Sequence, residues 1–88
     1  MRIEDVEIFS EASNFAVMRH PGRHFPGILV QGDSLAIMCR QIDEIVEELK
    51  FHGIGPEFSA ADALQSALHD RLQHYKTTLQ DAGLKLPF

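Results

Sequence analysis

The residues best suited to bind a ligand or a partner are gathered in one short segment, Arg19-His20-Pro21-Gly22-Arg23-His24. Two guanidiniums, each a planar fork of N–H donors, sit among two imidazoles. That set suits a phosphate or a partner's carboxylate. The charge distribution isolates the segment: residues 19–32 carry two arginines and no acid. Residues 1–18 carry four acids against one base, and residues 33–57 carry six against two. The plainer expectation is that Arg19 and Arg23 pair with the chain's own surplus acids while Pro21-Gly22 makes a turn. Arg19, His20, Arg23 and His24 are the candidate binding residues.

Other reactive side chains point away from catalysis. His69 and His74 stand five apart, about 140° round a helix, whereas a helical zinc pair stands four apart. His20, His24 and His52 would converge only through tertiary structure. No metal site is expected, and no cofactor. Cys39 falls beside an apolar helical stripe and reads as a buried, inert thiol, since a reactive one needs an accessible, electropositive setting. The acids Asp43, Glu44, Glu47 and Glu48 read as a solvated helix face. Such a face attracts a basic partner by electrostatic steering. With no phosphate-cradling glycine loop and no nucleophile elbow, the chain is expected to be non-enzymatic, with no catalytic residue.

The 88 residues (9.9 kDa) suffice for one domain spanning 1–88. Hydrophobic residues make up 44% and charged ones 24%, which excludes wholesale disorder. A formal charge of −5 disfavours non-specific binding to nucleic acid. The single cysteine excludes an intramolecular disulfide framework and suits a reducing cytoplasm. An acidic N-terminus, without the apolar run of a signal peptide, predicts a soluble, unprocessed cytoplasmic protein. No stretch approaches the ~20 apolar residues of a membrane span.

Strands come first along the chain. Residues 1–31 are expected to form the sheet, with strands around 3–10 and 15–19 and a third over the apolar run Gly27-Ile28-Leu29-Val30-Gln31. That run reads as a central strand or one covered on both faces. From Ser34 the period turns helical. Leu35, Met38, Ile42, Ile45, Val46 and Leu49 mark a helix over 33–52, with Asp33 or Ser34 as N-cap and Gly53 as terminator. Ile54 stands where a Schellman cap brings a contact to Leu49. A second helix is predicted over 59–82. Its capping pair is Ser59 and Asp62, its stripe is Leu64, Leu68, Leu72, Tyr75 and Leu79, and Gly83 ends it, with residues 83–88 as a tail. Its length of about 35 Å exceeds what a compact chain with a radius of gyration near 12 Å would cover. A homodimer is therefore expected, with part of that stripe under a second chain.

The segment Phe25-Pro26-Gly27-Ile28-Leu29-Val30-Gln31-Gly32-Asp33-Ser34-Leu35, with the helix through residue 49, resembles the centre of HicB-type antitoxin domains. Those share a Pro-Gly before a short strand, a Gln-Gly-Asp-Thr/Ser-Leu turn and an amphipathic helix. The resemblance implies a cut-down relative of the RNase H fold, with the helix packed on the sheet. It also implies a bacterial protein that oligomerises and neutralises a small RNase toxin by contact. Here Ile37 stands where the family commonly has an acid, and a long helix follows where a fourth strand is usual. The string Arg19-x-Pro21-Gly22-Arg23-x-Phe25-Pro26-Gly27 also resembles small bacterial proteins of a domain-of-unknown-function family.

The expected architecture is α+β: a three-stranded antiparallel sheet followed by two amphipathic helices. The expected function is a non-enzymatic, antitoxin- or immunity-like interaction domain with a possible toxin-like protein partner. The alternative is a small-molecule or phosphate-binding module centred on the Arg19–His24 loop.

Overall fold

The computed structural model describes residues 1–53 and 55–88. Three strands, β1 (Glu7–Ser10), β2 (Val17–Arg19) and β3 (Gly27–Ile28), precede α1 (Gly32–Phe51) and α2 (Glu57–Asp81). The α+β class and the antiparallel sheet agree with the sequence reading. The strand order is β1-β2-β3, so β2 is central. The apolar run at 27–31 is thus an edge strand of two residues, extended by the bond from the Leu29 amide to the Ala16 carbonyl (2.8 Å). Its Ile28, Leu29 and Val30 are exposed.

β1 is shorter than the alternation suggested and is bulged between Ile8 and Ser10, leaving Phe9 as the extra residue. The bulge breaks the two-residue alternation of the strand at Phe9.

The core lies between the helices. Ala36 and Cys39 of α1 pack against Leu72 of α2, with Leu35 and Leu68 half-buried beside them. Ile42 and Val46 are buried along the same line. The face of α1 turned to α2 therefore centres on small residues rather than on Met38 and Ile45, and Ile45 is exposed. Small side chains let the helix axes approach, and Gly32 takes this furthest. A Cβ built there would overlap the Tyr75 ring. Neither helix packs against any strand among the described residues, contrary to the expected packing of a helix on the sheet.

Both helix starts differ from expectation. Gln31 is the N-cap of α1 and Pro56 that of α2, neither with a capping side chain. Asp33 instead lies in the first turn, accepting a bond from the Ser34 amide (2.9 Å) where its charge favours the helix dipole. Ser59 lies inside α2, because Pro56 ahead of it already has the φ that a helix start requires.

The helix ends agree with the sequence reading. Gly53 and Gly83 adopt φ of +94° and +71°. After α2 the Gly83 amide donates to Gln80 (3.1 Å) and the Leu84 amide to Leu79 (2.8 Å), a complete Schellman pair. The expected contact of Ile54 with Leu49 lies outside the described residues. In the tail, Leu86 is half-buried and the Lys76 ammonium lies 5.7 Å from the centre of the Phe88 ring.

Candidate functional site

The loop after β2 is a type II turn. Pro21 and Gly22 occupy its centre, Gly22 has φ +80°, and the Arg23 amide closes onto the His20 carbonyl (3.0 Å). The turn throws His20 and Arg23 to one side of the sheet and returns the chain along the β2 edge.

Arg19 does not serve that loop as a free cation. It stands opposite Glu7 in the β1–β2 register. Its guanidinium donates to both carboxylate oxygens, from Nε at 3.2 Å and from Nη2 at 2.6 Å. Nη1 donates to the His24 carbonyl (3.4 Å), and the guanidinium carbon lies 5.7 Å from the centre of the Phe9 ring. The bidentate bond holds Glu7 below its ordinary carboxylate range and raises Arg19. Both groups are solvent-accessible, so the pair acts chiefly as a clamp on register. Arg19 thus follows the plainer reading.

The Arg23 guanidinium makes no hydrogen bond or ion pair among the described residues, the amide alone being bonded. With His20 it borders a cavity of about 390 Å³ walled by Met18, Phe25, Ile28 and Leu29. His20 donates from Nδ1 to the Pro21 carbonyl (2.9 Å). His24 is turned to Phe25 instead, edge to face at 4.6 Å between ring centres. Of the four loop candidates the structure brings His20 and Arg23 together at one cavity, and separates Arg19 and His24 from it. The walls Phe25 and Leu29 were not singled out from sequence. Their signal was their place in an apolar run beside the basic turn.

The acids of α1 divide. Asp43, read as part of a solvated face, is half-buried between the helices, where Oδ1 accepts from Gln65 Nε2 and His69 Nε2, each at 2.8 Å. Those two bonds, the Gln65 one foremost, hold the Asp43 carboxyl below its usual range. The i, i+4 spacing of Gln65 and His69 on one face of α2 was the available signal. Glu44, Glu47 and Glu48 are exposed, and Glu48 lies 3.1 Å from His52. Cys39 is buried, and burial pushes its thiol upward, away from the reactive thiolate. Among the described residues no three His, Cys, Asp or Glu side chains converge as a metal site would require.

The α2 stripe is divided as well. Leu72 is buried against α1, Leu68, Tyr75 and Leu79 are half-buried, and Leu64 is exposed. Most of that stripe is the intramolecular core. No described helix is long and apolar enough to cross a membrane.

Comparison with curated proteins and with solved structures finds no match. A family match extends over residues 1–88, beyond the segment 25–49 that carries the HicB resemblance. The chain belongs to the family of unknown function DUF6959.

Proposed function

We propose that this chain is a non-enzymatic protein-interaction module of the antitoxin or immunity kind. The observation supporting this reading is a sheet with apolar side chains on both faces and, among the described residues, no helix packed on either. Phe15, Val17 and Val30 line one face; Ile8, Met18 and Leu29 line the other, which carries the His20/Arg23 cavity, and Ile28 on the edge strand borders both. Exposed apolar surface on that scale marks an interaction site. The cavity combines apolar walls with one unpaired guanidinium, a setting for a partner's hydrophobic side chain beside a carboxylate. Exposed Glu44, Glu47 and Glu48 add an acidic face that would steer a basic protein. The phosphate-binding alternative loses its paired guanidiniums, because Glu7 occupies the fork of Arg19.

Co-expression with the product of the adjacent reading frame tests the proposal. A small basic neighbour that co-purifies with the chain, and is released by Leu29→Glu or Arg23→Glu, is the expected result. Adjacent frames encoding an unrelated metabolic operon, or a basic neighbour that does not co-purify, would overturn it.

A further inference from the structure

The chain exposes 7064 Å², against about 5,200 Å² for a folded monomer of its mass. Its radius of gyration is 16.1 Å, where a compact chain of this length has about 12 Å. The surplus, roughly 1,900 Å² per protomer, matches what obligate dimers bury, about 2,000–5,000 Å² over both partners.

Much of the uncovered apolar surface is continuous. Val17 pairs with Ile28, so Phe15, Val17, Ile28 and Val30 share one face of the sheet. A cleft of about 420 Å³ joins Phe15, Ile28 and Val30 to Ile37 and Met38 of α1. A second cleft, about 290 Å³, runs on from Met38 past Ile45 to Leu64 and Leu68. No Asp, Glu, Lys or Arg lines either one.

We propose that a second copy of this chain covers this band, in a two-fold dimer that buries the Phe15/Ile28 face of both sheets against Ile37, Ile45 and Leu64. Three observations favour a second copy over another protein. The surplus area is of dimer size. Near a two-fold axis each residue meets its own counterpart, so a charge there would face its like; no charged residue lines the two clefts, and the Glu7 and Arg19 side chains on the same sheet face neutralise each other. A three-stranded sheet without a covered face is also marginal alone, and copies of the same chain are always at hand. The inference rests on the interaction-module reading and deepens it, leaving the opposite, Arg23-bearing face for a different protein.

Sedimentation equilibrium of the full chain tests it. The wild type is expected at twice the 9.9 kDa monomer mass. Ile37→Glu, on an exposed helical position that folding of α1 does not need, is expected to weaken the dimer at least about tenfold, and Ile28→Lys likewise. Phe51→Glu, exposed outside the band, should leave it unchanged. A wild type still monomeric at about 100 µM overturns the inference, as do Ile37→Glu and Ile28→Lys dimers both weakened less than about tenfold. A monomer that still captures its basic neighbour sinks only the second-copy inference. A dimer sensitive to Ile37→Glu that captures nothing sinks only the heteropartner reading.

Discussion

At Gly32 the usual rule for glycine in a helix reverses. Alanine ordinarily stabilises a helical position by about 0.5–1 kcal/mol relative to glycine. Here Gly32 is buried at the first turn of α1 and the Tyr75 ring fills the space where a Cβ would stand. Gly32→Ala is therefore expected to lower stability by about 1–3 kcal/mol, the ordinary range for overpacking. Each kcal/mol corresponds to about 4–8 °C in a domain of this size. Thermal melting followed by circular dichroism reads the effect, and Tyr75→Leu in the same chain should recover part of the loss. A Gly32→Ala chain that melts at or above the wild type would mean that Tyr75 does not pack on that turn. Sequence assigned Tyr75 to the α2 stripe and Gly32 to a turn. Their contact joins positions 43 apart, which no local spacing encodes. For Arg19 the sequence led to the expectation of pairing with one of the chain's own acids, but that the acid is Glu7 emerges only from the strand register.

Among the elements, the helix ends were legible because positive-φ glycines are strong local signals. The helix starts were not, because first-turn Asp33 and Ser59 resemble caps in sequence while Gln31 and Pro56 occupy the position. The α1 face was misjudged by about one residue, since small Ala36 and Cys39 carry a weaker apolar signal than Met38 and Ile45 but allow the closer approach. The same contact hid the Asp43 network, which ties α1 to α2 through Gln65 and His69. Asp43 has a depressed folded pKa, so its contribution is complete above its unfolded pKa and fades as pH falls through the folded value. Asp43→Asn should thus be less stable than the wild type near neutrality, and the gap should narrow as pH falls below the ordinary carboxylate pKa of about 3.9. Urea midpoints measured from pH 7 to pH 3 read this directly. A gap that stays constant across the range would show that the ionised carboxylate is not what joins the helices.

At the scale of the whole molecule, the apolar runs of residues 15–30 look in sequence like core, and the structure leaves them uncovered. Sequence patterning reports that a residue will be buried, not which chain will bury it. That is why the expected dimer was placed on α2, the longest apolar stripe, whereas the uncovered band is the sheet and its continuation along α1 and Leu64. The distinction has a consequence in salt. Each chain carries −5, while the clefts of the proposed self-contact are lined by no charged residue. Two like-charged protomers repel across a screening length of about 30 Å at 0.01 M salt and about 10 Å at 0.1 M. Raising ionic strength should therefore tighten the dimer and raise its concentration-dependent melting temperature. Capture of a basic partner steered by Glu44, Glu47 and Glu48 should weaken over the same range. Sedimentation and partner titration at the two salt concentrations would move in opposite directions if both surfaces are used as assigned. A dimer that dissociates as salt rises would place charged groups at the self-contact and shift it away from the Phe15/Ile28 face.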